Sequence, residues 1–219
     1  MYQLYYYPLN ASMAPHFILE ALDVEFELVK VDRKSNAQKS KEYLALNPTG
    51  RIPTLVKGNK TLFESPAICI FLAENHPQAK LIPPIGDDKR ADFYQWMMYL
   101  TNTLQAELMV YFYPEKHTTD KATTDAIITA QQTRLADILS ILDQQLTDQQ
   151  YLLGEDISVC DYFLFMLAVW ADELVKPPLA FTHLNGYLRR MAKLPAIIKV
   201  CKKEQLNLSD YQLPITNNQ

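Results

Sequence analysis

The chain has 219 residues, 48% of them hydrophobic, and a formal net charge of −4. That length allows one large domain or two small ones with a sizeable core, and the composition is ordinary for a globular protein. The slight acidity gives no reason to expect nucleic acid or an anionic membrane as a partner.

The cysteines and the apolar runs indicate the compartment. Cys69, Cys160 and Cys201 are widely spaced and lie outside any Cys-x-x-Cys pair, which argues against disulfides and zinc sites. The sequence has no apolar run long enough to cross a bilayer, and Met1 leads into a strand without a signal-like segment. We therefore expect a cytoplasmic protein.

The first part of the chain alternates strands and helices. Residues 2–7 predict a buried strand that Pro8 ends, residues 13–22 place apolar side chains on one helix face, and residues 24–28 alternate with period two. This order, with short loops, predicts a right-handed parallel crossover. The polar, Lys-rich residues 35–46 predict an exposed helix.

Residues 47–66, NPTGRIPTLVKGNKTLFESP, predict a loop, a hairpin and the start of a helix that runs to Asn75. Pro53 stands at the first residue of a strand, where proline is tolerated. The Ile52-Pro53 bond can be cis, which would turn the Ile52 N–H and carbonyl toward an extended ligand backbone. The hairpin turns at Gly58-Asn59-Lys60, and the helix that follows opens with Pro66.

The second part of the chain is predicted to be all helical. Residues 77–86 are rich in proline and read as a linker between a domain at 1–76 and a domain at 87–219. Helical spacing of apolar residues predicts five helices, at 90–113, 124–146, 159–173, 184–192 and 196–205. Ser158-x-x-Asp161 has the form of a structural capping box, with Asp in place of the usual Glu or Gln. The end of the chain after Leu213 is predicted to be frayed.

Several of these segments form a set that spans nearly the whole chain: the Tyr-Tyr-Pro end of the first strand, Ser12 and Pro15 at the first helix, NPTGRIPTL, FESPAICIFLAE, and the Ser158 motif. In this order and spacing they resemble the glutathione S-transferase family. The resemblance implies a thioredoxin-like N-terminal domain (βαβαββα) without redox cysteines, followed by an all-helical C-terminal domain. It also implies a homodimer, glutathione as co-substrate in the groove between the domains, and no metal.

Glutathione chemistry needs a group that stabilises the thiolate, because an unperturbed cysteine thiol has a pKa of about 8.5. Ser12, at the turn from strand to helix, is one candidate, although it could instead only cap the helix. Tyr6 matches the position of the catalytic hydroxyl in the tyrosine-type transferases, although strand tyrosines are usually core. Asn10 could donate an amide N–H from the same loop.

Two departures argue against a beta-class mechanism, although the resemblance to the bacterial beta class is close around Ala14-Pro15-His16. Ala11 stands where that class has a cysteine, which excludes mixed-disulfide chemistry at this position. Gln105 and Ala106 stand where it has a His-Lys pair.

The resemblance implies that the Ile52 backbone beside Pro53 pairs with the cysteinyl part of glutathione. Glu64 and Ser65 would hold the γ-glutamyl amine and carboxylate. The glycyl carboxylate would be reached by Arg51 or Lys39, for which a solvated surface role is at least as plausible; Glu64 could also be a solvated charge.

The second substrate is expected to be a small, apolar or aromatic electrophile. It would contact apolar side chains that include Leu9, Leu108, Tyr111 and Phe112. The four histidines are scattered and predict no metal site. The favoured function is glutathione transfer; the alternatives are glutathione-dependent isomerisation or peroxidase and reductase activity, and a non-catalytic binding or regulatory protein of the same fold.

Overall fold

The computed structural model describes residues 1–212. Contacts divide the described chain into two compact units. Unit 1 comprises Met1–Pro84 and Ala192–Asp210, and unit 2 comprises Ile85–Met191 with Tyr211 and Gln212. The predicted frayed end after Leu213 lies outside the described residues.

Unit 1 is built on a four-stranded mixed sheet in the order β2-β1-β3-β4. Its strands are β1 Tyr2–Tyr6, β2 Phe26–Lys30, β3 Thr54–Lys57 and β4 Lys60–Phe63. β1 and β2 are parallel, while β3 is antiparallel to both β1 and β4. The parallel pair is joined through a helix, so a parallel crossover and the thioredoxin-like fold class are confirmed.

The helices of unit 1 are α1 Met13–Ala21, α2 Lys41–Leu46, α3 Ser65–Glu74 and α9 Pro195–Glu204. α1 packs against α3 and also against α9, which explains why the segment from Ala192 to Asp210 groups with unit 1. The ranges 1–76, 77–86 and 87–219 remain a proposal for the domain boundaries along the chain, and the packing assigns this C-terminal segment differently.

Three local expectations for unit 1 need correction. The strand expected at residues 24–28 begins two residues later, at Phe26. The helix expected at residues 35–46 is a 3-10 turn followed by α2, because the extended Ser40 interrupts it and caps α2 by accepting the Tyr43 N–H at 3.2 Å. The hairpin turn contains only two residues, since Lys57 already pairs with Lys60.

Unit 2 is helical, as expected. Its helices are α4 Lys89–Tyr99, α5 Ala106–Phe112, α6 Thr124–Gln145, α7 Val159–Trp170 and α8 Thr182–Met191; α10 Ser209–Gln212 ends the described chain. The single helix expected at residues 90–113 contains a π-helical segment, Leu100–Gln105, between α4 and α5. Among residues 1–212, every helix is too short or too polar to cross a membrane.

α7 forms the centre of unit 2, and its start confirms the predicted capping box. Nearly all of its side chains are buried. The Asp161 carboxylate accepts the Ser158 N–H at 2.7 Å and the Leu152 N–H at 2.9 Å. The Ser158 and Tyr187 hydroxyls donate to the same carboxylate. Asp161 therefore ties the start of α7 to the preceding loop and to α8.

Candidate functional site

One edge of the sheet brings together the segments predicted to bind a ligand. Thr54 pairs with Tyr5 of β1 and with Phe63 of β4. Because β3 is antiparallel to both neighbours, Pro53 lies at the edge where β1 and β4 end. The loop after β1, the Ile52-Pro53 segment and the start of α3 therefore meet there.

Two buried side chains hold the loop that leads to Ile52. The Tyr43 hydroxyl donates to the Arg51 carbonyl at 2.7 Å, and the Asn47 amide donates to the same carbonyl at 2.8 Å. Both side chains also contact the Thr54 hydroxyl, at 2.9 and 3.2 Å. Sequence reasoning missed these anchors, because nothing in the sequence distinguishes Tyr43 or Asn47 from an ordinary helix or loop residue.

The Ile52-Pro53 peptide bond is cis, as predicted. The Ile52 side chain packs in a small cluster with Val31 and Tyr43, flanked by Tyr5 and Tyr7. The hydrogen bonds of residues 1–212 leave the Ile52 N–H and carbonyl without a partner. These two groups can therefore pair with an extended ligand.

The start of α3 presents an acidic side chain beside helix N–H groups. Glu64 is exposed and has φ of +71°, a conformation that strains a residue with a side chain. The Ile68 N–H makes the first helical bond, to the Glu64 carbonyl, so the N–H groups before it have no intrahelical partner. A carboxylate suits that helix end, and an amine suits Glu64.

A direct contact joins the start of α3 to the loop after β1. The Ser65 hydroxyl donates to the Ala11 carbonyl at 2.6 Å. In the same loop, Asn10 Oδ1 accepts the Ala11 N–H at 2.7 Å. The Asn10 Nδ2 group has no partner among the described residues, so its two N–H donors are available.

The other two candidate thiolate donors, the Ser12 and Tyr6 hydroxyl groups, differ from Asn10 in their surroundings. Ser12 is fully buried, and its hydroxyl donates to the Tyr7 carbonyl at 3.0 Å and accepts the Tyr7 N–H at 3.3 Å. The Tyr6 ring lies edge-on to His16, with 6.2 Å between ring centroids. Burial, and secondly the charge of Glu204, raise the pKa of Tyr6 above its usual value near 10, so its hydroxyl stays protonated.

Three cationic side chains belong to residues in or near the loop that leads to Ile52: Lys39 and Arg51, which were predicted, and Arg33, which was not. Lys39 Nζ donates to the Thr49 carbonyl at 3.3 Å and packs on Gly50, where a Cβ would come within 2.6 Å of Nζ. The Arg51 side chain is exposed and forms no hydrogen bond or ion pair with a described residue. The Arg33 guanidinium lies 5.7 Å from the centroid of the Tyr7 ring.

The four apolar residues predicted to contact the second substrate divide between the units. Leu9 of unit 1 is 44% exposed. In unit 2, Leu108 is fully buried and packs in the core, whereas Phe112 is 37% exposed and stacks edge-on with Tyr111. Leu108 therefore has no accessible surface in this structure. Gln105 and Ala106 lie at the junction of the π-helical segment and α5.

The sequence analysis did not predict the buried pair of His16 and Glu204, which contacts the loop after β1. His16 Nδ1 and Glu204 Oε1 are 2.7 Å apart, and the side chains are 1% and 0% exposed. Glu204 Oε2 accepts the Leu9 N–H at 2.8 Å. The contact joins residues 195 positions apart, so no local pattern could have predicted it.

Comparison with family models identifies the chain. The N-terminal domain of glutathione S-transferases matches residues 2–74, and the C-terminal domain of glutathione S-transferases matches residues 101–195. Together the two matches cover most of the sequence. The chain belongs to the glutathione S-transferase family. It is a glutathione transferase with the thioredoxin-like and helical parts that its sequence predicted.

Individual relatives agree with this assignment. The glutathione S-transferase GstA of Escherichia coli O157:H7 is 27% identical over 206 residues, which cover 93% of this chain and 99% of the relative. A glutathione S-transferase of Arabidopsis thaliana is 30% identical over 202 residues, or 86% of this chain and 78% of the relative.

Solved structures of the family match most of the transferase. A sphingomonad glutathione S-transferase complexed with glutathione has a TM-score of 0.81 and 27% identity, and covers 94% of this chain and 100% of its own. A beta-class enzyme from Sphingomonas chungbukensis has a TM-score of 0.81 and 28% identity, with the same coverage.

Within residues 1–212, no group of three or more His, Cys, Asp or Glu side chains could hold a metal ion.

Proposed function

We propose that this transferase binds glutathione at the sheet edge described above and conjugates its thiolate to a small, apolar or aromatic electrophile. The observation that carries the proposal is the meeting of the unpaired Ile52 backbone, the start of α3 and the loop from Asn10 to Ser12. Ile52 pairs with the cysteinyl backbone. Glu64 binds the γ-glutamyl amine, and the first N–H groups of α3, beginning at Ser65, bind its carboxylate.

We assign the glycyl carboxylate to Arg51 and Arg33. Arg51 directly precedes Ile52 in the chain and its side chain is exposed. The Arg33 guanidinium lies 5.7 Å from the ring of Tyr7, which packs against the cluster that contains Ile52. Lys39 fits a structural role better, because its ammonium group already contacts the Thr49 carbonyl.

Of the three predicted thiolate donors, the contacts favour Asn10. Its Oδ1 is held by the Ala11 N–H, which orients the amide and leaves the Nδ2 donors available. A donor to a thiolate favours the charged form and lowers the thiol pKa. The Ser12 hydroxyl instead donates to the Tyr7 carbonyl, and the Tyr6 ring lies against His16. The catalytic gain comes from the lowered thiol pKa and from proximity.

The test compares Asn10→Asp, Asn10→Ala, Ser12→Ala and Tyr6→Phe. Asn10→Asp keeps the acceptor for the Ala11 N–H but replaces the donor with a charged oxygen, so we expect the largest rise in the pKa of bound glutathione. Asn10→Ala should lower kcat/KM toward an aromatic halide by about a hundredfold. Tyr6→Phe should leave the thiol pKa unchanged. A thiol pKa of bound glutathione that stays as low as in wild type in both Asn10 variants would refute this assignment.

The alternative of disulfide reduction through a protein thiol gains no support. All three cysteines are buried, and none forms a disulfide. Burial raises the pKa of Cys160 and raises that of Cys201 to about 12, so neither thiol is reactive near neutral pH. Three reduced cysteines also support the proposed cytoplasmic location.

We further propose a homodimer. On α4, Tyr94 and Met98 are 48% and 45% exposed and stand four residues apart, so they form an apolar stripe on one helix face. Sedimentation equilibrium measures the mass. A monomer at micromolar concentration would contradict the proposal, and Met98→Glu should weaken a dimer that uses this stripe.

A further inference from the structure

Glu204 lies on α9, far along the chain from every segment expected to bind glutathione, yet it holds the loop that carries Asn10. Its Oε2 accepts the Leu9 N–H at 2.8 Å, and its Oε1 lies 2.7 Å from His16 Nδ1. We propose that Glu204 is a positioning residue of the glutathione site, acting through the backbone of Leu9. The inference rests on the proposed function.

Burial makes this contact specific. The Glu204 side chain is fully buried and its partner His16 is 1% exposed. An isolated buried carboxylate is strongly unfavourable, so each oxygen needs a donor, and here His16 and the Leu9 N–H satisfy one oxygen each. The packing of α9 against α1 buries the Glu204 carboxylate. This packing is therefore favourable only when the Leu9 N–H donates to Glu204 Oε2.

The loop needs such a support. Leu9 has φ of +56°, in the left-handed region that side chains with a Cβ disfavour. Its side chain is 44% exposed, so side-chain packing does little to hold the backbone. The next residues are Asn10 and Ala11, whose carbonyl accepts the Ser65 hydroxyl. A relaxed Leu9 would move the proposed thiolate donor relative to the start of α3.

The two contacts of Glu204 have separable consequences. The contact with His16 lies wholly in the core and serves folding, whereas the contact with Leu9 serves the site. Replacing both members of a buried polar pair with apolar side chains of similar shape changes stability little, while removing one member is costly. The double variant His16→Leu/Glu204→Met therefore removes the acceptor for Leu9 and keeps the core filled.

For the double variant we expect a folded protein whose unfolding midpoint falls only modestly, because the core stays filled but the Leu9 N–H loses its acceptor. Its dissociation constant for glutathione should rise about tenfold to a hundredfold, because a small displacement of a positioned group is costly. The pKa of bound glutathione should rise as well, and amide exchange at residues 8–12 should accelerate. A role in folding alone would leave the glutathione affinity and the pKa of bound glutathione unchanged, whereas exchange at Leu9 accelerates in either case because its N–H loses its acceptor.

Two single variants serve as controls. Val200→Ala truncates a buried apolar side chain of α9 and should lower stability without altering glutathione affinity or exchange at residues 8–12. Glu204→Gln keeps a carbonyl oxygen for the Leu9 N–H and an amide for His16 Nδ1, and should retain the affinity that the double variant loses.

A folded double variant that binds glutathione like wild type would overturn the inference. If that variant does not fold, the test uses the wild-type protein. Binding of glutathione at the loop and packing of α9 are linked, so glutathione should slow amide exchange at residues 200–205 as well as at 8–12. Unchanged exchange in α9 would overturn the inference. A wild-type chain that fails to bind glutathione would instead refute the proposed function.

Discussion

At the scale of single residues, the site depends on backbone conformations that the residue types do not favour. Six described residues other than glycine have positive φ, and two of them, Leu9 and Glu64, directly precede Asn10 and Ser65 of the proposed glutathione site. Strained backbone persists only where the surroundings enforce it, and it concentrates at functional sites. In this transferase the enforcing contacts are the Glu204 carboxylate at Leu9 and the helix that begins directly after Glu64.

Glu64 provides a test of this strain. At φ of +71°, glycine is the residue with the smallest penalty, so Glu64→Gly should be more stable than Glu64→Ala by about 1 kcal/mol. The measurement is urea unfolding of both variants. The exposed Glu42, in the first turn of α2, is the matched control: there Gly should be less stable than Ala by a similar amount, about 1 kcal/mol. The same order at both positions would argue against strain at Glu64.

At the scale of single elements, α7 depends on one buried carboxylate. Asp161 is fully buried and accepts four hydrogen bonds, from the Ser158 N–H and hydroxyl, the Leu152 N–H and the Tyr187 hydroxyl. Burial raises the pKa of Asp161, and these donors oppose the rise. A capping box normally satisfies only the helix start; here the same carboxylate also fastens a loop and a neighbouring helix.

Asp161→Ala should therefore be severely destabilising. It leaves three donors in the core, the Ser158 N–H and hydroxyl and the Leu152 N–H, without their acceptor, while the Tyr187 hydroxyl keeps the Asp161 carbonyl. Each loss costs about 1 to 3 kcal/mol, so the free energy of unfolding should fall by at least about 3 kcal/mol. Chemical denaturation measures the change. Asp156→Ala, an exposed acidic residue in the same loop, should change stability by less than about 0.5 kcal/mol. Equal effects in the two variants would refute the role of the buried network.

At the scale of the whole molecule, the cysteines report cooperative unfolding. Cys69 and Cys201 are buried in unit 1, and Cys160 is buried in unit 2. Native protein at pH 8 should leave all three unreactive toward a thiol reagent, whereas denatured protein should expose all three. A thiol that reacts faster than global unfolding would contradict this expectation.

The same burial makes stability depend on pH at the alkaline end. The folded state raises the pKa of Cys201 to about 12, whereas the unfolded thiol titrates near its usual 9. The folded chain therefore binds this proton more tightly, and the stability contribution falls as pH rises from 9 toward 12. Cys201→Ala should flatten the fall in the unfolding midpoint over that range.

Much of the fold followed from patterns that are local in sequence. A short run ended by Pro8 predicted the first strand, and alternation predicted the second. Helical spacing predicted α1 and the helices of unit 2, Pro66 predicted the start of α3, and Ser158 with Asp161 predicted the start of α7. These features are set by neighbouring residues, so the chain needs no distant contact to show them. The errors arose where a distant contact or a single unfavourable residue decided, as at Ser40 in the predicted helix of residues 35–46.

The sequence by itself determined the order of elements, the family, and the segments proposed to bind glutathione, because residue spacing and turn chemistry are local features of the chain. Only the tertiary structure decided how those segments act. In the folded protein the Ser12 hydroxyl bonds to the Tyr7 backbone, and the Tyr6 ring lies against His16. The Asn10 Nδ2 donors have no partner among the described residues. The tertiary structure also brought Glu204 to Leu9. Hydrogen-bond partners are chosen in space, and a linear pattern does not contain them.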